Sequence, residues 1–222
     1  MIIVHYLENS RAHRILWLLE ELELAYEVKI YKRGSDMRAP KSLKQVHPLG
    51  KSPVIEDGGK VYAESGAIIE YLLDTYGEGK FRPEKGSDNY RRYLYWLHYA
   101  EGSAMPLLLL KLLFSRLPAQ MPFFLRPMAG LISRGVSAKL IDPQLIDHVG
   151  YWEAELSKDG YFAGEMVSGA DIAMSFPVEA AMSRADGAGD TKAIRRFLDA
   201  IRARPAYQRA LTKGGAYIYS RS

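Results

Sequence analysis

Residues 47–77 read HPLGKSPVIEDGGKVYAESGAIIEYLLDTYG. Two short apolar runs, Val54-Ile55 and Val61-Tyr62-Ala63, flank Asp57-Gly58-Gly59-Lys60. Both central glycines can take φ > 0 without steric penalty, so the spacing predicts a two-residue β-hairpin. Glu64-Ser65-Gly66 follows at once. Ser65 is a good N-cap, and Ile68, Ile69, Leu72, Leu73 and Tyr76 recur at helical spacing until Gly77 ends the run. A strand that feeds straight into a helix leaves unpaired N–H groups pointing outward at the positive end of the helix dipole, which suits an anion. Pro53 opens the first strand, where its missing N–H is tolerated, and X-Pro is the only common cis peptide. An edge there leaves the Ser52 main chain free to pair with an extended peptide, and Lys51 stands at the same end. These residues point to a small, anionic, peptide-like ligand.

Upstream, Ile2 to Tyr6 predicts a buried strand. Asn9 or Ser10 can cap the next helix, whose Ile15, Leu18, Leu19 and Leu22 share one face. Ala25 to Tyr31 alternates as a second strand, making a βαβ unit with parallel strands and a right-handed crossover. Residues 32–46 are polar and irregular, with one short helix near Pro40 to Gln45. The order βαβ then ββα predicts a mixed four-stranded sheet with helices on both sides. Residues 78–86, rich in Gly, Pro and charge, read as a linker. After them strand signals stop. Tyr90, Tyr93, Leu94 and Leu97 begin a long helical stretch to about Phe114. Pro118, Pro122 and Pro127 must break or kink the chain. Leu145, Val149, Trp152 and Leu156 mark another helix, with Pro143 in its first turn. Ser168 to Asp171 has capping-box spacing, so Asp171 reads as a helix-start carboxylate rather than an acidic site. One or two short helices follow in 191–211, and the tyrosine-rich tail after Gly214 is expected on the surface. The predicted architecture is an α/β N-terminal domain over residues 1–77, a linker over 78–86 and an all-α C-terminal domain over 87–222.

Composition narrows the chemistry. The 222 residues carry a net charge of +4, and their basic residues form no aromatic-interleaved run of the kind that tracks nucleic acid. There are 0 cysteines, which excludes disulfides, thiolate metal sites and cysteine nucleophiles. The N-terminus enters a strand directly, so no signal peptide is expected, and the leucine run at 107–114 is broken by Lys111 and too short to span a bilayer.

Read together with HYLENSRAHRILWLLEELELAYE at residues 5–27, the 47–77 stretch resembles the N-terminal domain of the glutathione transferases, in detail over the first third of the chain and in outline over the helical remainder. The resemblance implies a thioredoxin-like N-terminal domain, a helical C-terminal domain, glutathione as co-substrate, no metal, a cytosolic enzyme and a two-fold homodimer. It implies that Lys51 meets the glycyl carboxylate of glutathione. The Ser52 main chain before a cis Pro53 would pair with the cysteinyl residue. Glu64 and Ser65 would hold the γ-glutamyl end, with His47 a minor contributor.

Such an enzyme needs no nucleophile of its own, since it activates the sulfur of its ligand. A thiol has pKa near 8.5, and lowering it by two units takes about 2.7 kcal/mol of preference for the anion. A hydroxyl donor, main-chain N–H groups and a helix N-terminus can supply that together. Two hydroxyls compete. Ser10-Arg11-Ala12-His13-Arg14 resembles the serine-type members and His5-Tyr6-Leu7 the tyrosine-type members. Ser10 is favoured because it also lies at the positive helix end; Asn9 is a third donor. The bland alternatives are an N-cap for Ser10 and a core aromatic for Tyr6. Tyr99, Met105, Leu109 and Phe114 form the expected apolar wall for a small hydrophobic electrophile, with no nucleic acid and no membrane as partner. The expected reaction is thioether formation in a detoxifying role. Its rivals are glutathione-dependent peroxide or disulfide reduction, and a non-catalytic binding module on the same fold.

Overall fold

The computed structural model describes residues 1–34, 36–183, 189–215 and 217–219. Strand β1 (Ile2–Leu7), helix α1 (His13–Glu21) and strand β2 (Tyr26–Tyr31) form the βαβ unit, with β1 and β2 parallel. The short α2 (Leu43–Val46) follows, then the hairpin β3 (Val54–Asp57) and β4 (Lys60–Ala63) and helix α3 (Ser65–Tyr76). The sheet order is β2-β1-β3-β4, with β3 antiparallel to both neighbours. The hairpin turns on Gly58 (φ 55°) and Gly59 (φ 76°), the pair of left-handed residues that the sequence demands there. The mixed four-stranded sheet and the helical remainder are as the sequence predicts.

Helices α4 (Asp88–Tyr99) and α5 (Met105–Gln120) are joined by a π-helical turn at Ala100–Ala104. Pro118 sits inside α5, and the break falls at Met121-Pro122, where the backbone turns extended. Helix α6 (Arg126–Val136), a second π-helical turn (Ser137–Ile141) and α7 (Asp142–Asp159) run back. Helices α8 (Gly169–Met182), α9 (Lys192–Arg202) and α10 (Pro205–Gly214) complete the described helices.

α8 is the axle of the core: all thirteen residues from Gly169 to Ala181 are buried. Its start is fixed by the capping box. Asp171 accepts the amides of Ser168 (2.8 Å) and Phe162 (2.8 Å) and the Ser168 hydroxyl (2.7 Å). Three corrections to the sequence reading follow from packing. Helix α1 begins at His13, beyond Asn9 and Ser10, and it is buried from His13 to Glu20 instead of along one face, because α8 and α10 cover its other side. Ser65 is the first helical residue of α3, and Glu64 holds the cap position. The described tail tyrosines are buried, Tyr217 at 5% exposed and Tyr219 at 6%, while Ile218 between them is 61% exposed.

The tail is held by a buried acid. Glu179, on α8, accepts the Tyr207 hydroxyl (2.6 Å) and the Tyr217 hydroxyl (2.7 Å), with Arg202 at 3.7 Å. Burial pushes its carboxyl up from 4.5 to about 7, against the lowering effect of the two hydroxyls and the nearby guanidinium. The folded chain then holds a proton between pH 4.5 and 7 that the unfolded chain has released, so this group's contribution to stability falls as pH rises through that window. We expect unfolding midpoints taken at about pH 5 and about pH 8 to drop for the native chain, and the Glu179→Gln variant to flatten that drop. An unchanged slope in the variant would show that Glu179 is ionised throughout.

Candidate functional site

The antiparallel pairing of β3 ends at His5↔Val54 on one side and at Val54↔Ala63 on the other, so the Ser52 main chain lies outside the ladder. The Ser52-Pro53 peptide is cis. The Ser52 hydroxyl is already spent: it donates to the His5 carbonyl (2.8 Å) and accepts the Leu7 amide (3.1 Å), stapling the end of β3 to β1. Its backbone therefore remains the part that can meet a ligand.

β4 runs into α3 through Glu64, a non-glycine residue at φ 71°, ψ 124°. That conformation is disfavoured for a residue with Cβ and persists where surrounding structure imposes it. It sets the side chain of Glu64 and the first amides of α3 against the Ser52 end of β3. Lys51, Ser52, Pro53, Glu64, Ser65 and His47 all line one small cleft of about 70 Å³, so the structure brings together six residues that the sequence singles out. Lys51 and Glu64 are exposed and have no ion-pair partner among the described residues. The cleft seats only part of a tripeptide, since whole-ligand pockets run to roughly 300 Å³ and more. A larger groove of about 1010 Å³, between the Gly79–Ser87 loop and the turn at Tyr161–Ser168, contains none of these groups. Chemistry, not size, selects the smaller cleft.

Arg11 also lines the cleft, and behind it lies a buried polar hub that sequence reading missed. Arg14, 0% exposed, donates to the Ala173 carbonyl of α8 (2.6 Å), to Ser65 Oγ (3.0 Å) and to Glu101 Oε1 (2.5 Å). Glu101 also pairs with Arg11 (3.1 Å) from the π-helical turn. Burial alone would raise the Glu101 carboxyl, but Arg14 and Arg11 win and hold it below the usual carboxylate range. Burial pulls Arg11 down from its ordinary value, opposed by Glu101. This hub fixes Ser65, and with it the N-terminus of α3, against α1 and the helical half of the chain. One signal for it exists in the sequence: Glu101 is the only acidic residue between Asp88 and Asp142.

The competing hydroxyls separate. Ser10 is 6% exposed, and its oxygen accepts the Ala12 amide (3.2 Å). None of the described residues accepts its own hydrogen. Asn9, exposed at φ 51°, uses its Oδ1 to accept the Ile218 amide (3.0 Å), which ties the tail to this loop. Tyr6 is fully buried beside Leu16 and Gly214, and its hydroxyl finds no partner among the described residues. Burial raises that hydroxyl to about 12, with Glu8 adding to the effect. Tyr6 is thus packed in the core, and none of Tyr6, Asn9 and Ser10 is among the residues lining the cleft, although Arg11, next to Ser10, is.

The four residues expected to form an acceptor wall do not line the cleft. Tyr99 is committed to His148 Nδ1 (2.5 Å) and receives the Trp152 indole N–H (3.2 Å). Met105 is buried, Phe114 packs on the core, and Leu109 is exposed. Helix periodicity alone cannot tell these three environments apart. Among the described residues no group of His, Asp and Glu side chains is arranged to hold a metal ion.

Comparison with known proteins gives the family. The glutathione S-transferase N-terminal domain model matches residues 1–74 and the C-terminal domain model matches residues 142–205. Glutathione S-transferase 3 of Schizosaccharomyces pombe is 36% identical over 96% of this chain and 88% of its own length. Glutathione S-transferase 1 of Saccharomyces cerevisiae is 36% identical over 97% of this chain and 96% of its own. The crystal structure of a glutathione S-transferase from Actinobacillus pleuropneumoniae superposes with a TM-score of 0.81 at 36% identity, covering 100% of this chain and 97% of that one. With both halves matched and near-full-length relatives at that identity, this chain belongs to the glutathione S-transferase family.

Proposed function

We propose that the chain binds glutathione across the Lys51–Ser65 cleft and joins its sulfur to a small hydrophobic electrophile. The observation that carries this reading is the shared cleft of Lys51, Ser52, cis-Pro53, Glu64 and Ser65. In it a free cation faces the glycyl carboxylate, and an unpaired strand end offers main-chain bonds to the cysteinyl residue. Glu64 and the N-terminus of α3 take the amino and carboxylate groups of the γ-glutamyl end. In the reaction the thiol proton leaves to solvent, the sulfur forms a C–S bond, and the leaving group departs with its electron pair.

Ser10 is the group we assign to the sulfur, supported by its unclaimed hydroxyl hydrogen and by the burial of Tyr6. Ser10→Ala is expected to lower kcat/KM with a chloronitrobenzene-type acceptor by about 10- to 100-fold, one hydrogen bond to an anion. Tyr6→Phe is expected to leave kcat/KM within about twofold, since it removes only an unpartnered hydroxyl. The reverse order would assign the tyrosine. Calorimetric titration with glutathione tests the binding step separately. Oxidised glutathione formed from cumene hydroperoxide would favour direct peroxide reduction; with no cysteine in the chain, a cysteine-mediated route is closed. We further propose a cytosolic, detoxifying homodimer, which sedimentation of the purified chain tests for assembly.

A further inference from the structure

Ser10 lies in the turn between β1 and α1, and little within that turn holds it. α1 starts after Ala12 with no side-chain cap. Among the described residues the Ser10 oxygen bonds only the Ala12 amide (3.2 Å), and neither Asn9 nor Ser10 makes a main-chain bond to another main-chain group. The restraint comes from the far end of the chain. On one flank of Ser10, the Asn9 side chain accepts the Ile218 amide (3.0 Å). On the other flank, His13 stacks on the ring of Tyr217, with centroids 4.3 Å apart and planes inclined by 24°. Residues 217 and 218 thus grip residues 9 and 13, on either side of Ser10.

The grip is itself anchored. Tyr217 and Tyr219 point inward and Ile218 outward, the alternation of an extended segment. The Tyr217 hydroxyl donates to Glu179 (2.7 Å), and the Tyr219 carbonyl accepts from Arg202 (3.1 Å). The Tyr219 ring meets Phe176 edge-on at 5.4 Å. Glu179 and Phe176 both belong to α8, so the tail is fastened to the most buried helix of the fold. Just upstream, a Cβ on Gly214 would sit 3.0 Å from Leu16 and 3.2 Å from the Tyr6 ring, so the chain leaves α10 pressed against the same core. His13 shows how closely the tail covers the start of α1. It is buried, neither ring nitrogen has a partner among the described residues, and burial pulls its pKa down to about 3. A buried imidazole without hydrogen bonds is costly; what it supplies here is a flat, neutral face for Tyr217.

A hydrogen bond weakens steeply with distance and misalignment, and a donor stabilises developing charge best when it is already in place. Turns with few bonds of their own open at little free energy unless something outside ties them down. We propose that Tyr217 to Tyr219 are positioning residues for the reaction: they strap the Ser10 turn at Asn9 and His13 and so aim the Ser10 hydroxyl at the sulfur of glutathione. Glu179 is the anchor of the strap. The inference rests on the assignment of Ser10 to the sulfur and extends it to residues that lie outside the cleft lining.

With glutathione saturating, the pH profile of kcat/KM for a chloronitrobenzene-type acceptor reports the pKa of the bound thiol. A variant ending at Gly215 is expected to raise that pKa by about half a unit or more, and so to lower kcat/KM below it by about threefold or more. Asn9→Gly, which the φ of 51° accommodates, should do the same, and the two changes together should do no more than either alone. Binding of S-methylglutathione, which has no thiol proton, should stay within about twofold and reports an intact cleft. In the shortened chain the His13 proton resonances should titrate near the ordinary value of 6.5, since their Tyr217 cover is gone. Tyr217→Phe and Tyr207→Phe each take one hydroxyl from Glu179 and should lower the unfolding midpoint alike, but only Tyr217→Phe should move the pH profile. Should the shortened chain fail to bind S-methylglutathione, Asn9→Gly and Tyr217→Phe decide alone. A bound-thiol pKa unchanged in both overturns the proposal. So does an equal shift in Tyr207→Phe, which would mean general loosening, or a tail effect that persists in full on a Ser10→Ala background. If Ser10→Ala itself leaves the bound-thiol pKa in place, the Ser10 assignment falls and the strap with it, a result distinct from failure of the strap alone.

Discussion

Arg14→Ala is expected to lower the stability of the chain by roughly 3–5 kcal/mol, the cost of truncating a fully buried side chain and orphaning its buried acceptors, with the half-buried Glu101 adding less. The loss has identifiable parts. The Ala173 carbonyl and Ser65 Oγ lose their donor, and Glu101 is left with Arg11 alone. Each orphaned buried group costs about 1–3 kcal/mol, and the truncated side chain leaves a cavity as well. For a chain of this length the corresponding fall in Tm is roughly 10 °C. Because Ser65 opens α3 and lines the cleft, the same variant is expected to weaken glutathione binding by about tenfold, at temperatures where it is still folded. Arg14→Lys keeps the charge without the fork that reaches three acceptors, and should fall between the two. Urea unfolding with unchanged m-value, together with glutathione calorimetry, checks both effects. A change in stability below about 1 kcal/mol would mean that the hub contributes geometry without stability.

Asp171→Ala is the second large effect, expected at roughly 3–4 kcal/mol from a lost helix cap and two orphaned buried amides. Burial pushes the Asp171 carboxyl up to about 6, opposed by its amide and hydroxyl donors, so near neutral pH its ionised form is the one that accepts all three. Asp171→Asn retains one acceptor oxygen and one poorly matched NH₂, and should cost less than alanine but more than half of it. The loss is expected chiefly in the unfolding rate or midpoint, with kcat/KM of the surviving folded protein near that of the native chain. If activity falls while the midpoint holds, Asp171 would have a role in the reaction beyond fixing the start of α8, although it does not line the cleft.

The hairpin, the start of α8 and the cleft residues were legible because each is written locally: Gly58-Gly59, Ser168 with Asp171, and the run from Lys51 to Ser65. What was not legible is long-range. The Arg14–Glu101 pair closes over 87 residues, and no period or turn signal records it. Strand parity did hold the answer for Tyr6, since it shares a face with Ile2 and Val4, both core residues. The one-faced reading of α1 failed because α10, from the far end of the chain, covers its second side. The tail tyrosines read as surface residues because their acceptor, Glu179, is 38 residues from Tyr217.

The bond from the Ile218 amide to Asn9 spans 209 residues. During synthesis on the ribosome the loop beside Ser10 is made some 209 residues ahead of this partner. A nascent chain can therefore complete its sheet and much of its helical half while this loop still lacks that restraint, and the loop acquires its final shape only once the residues around Tyr217 have emerged.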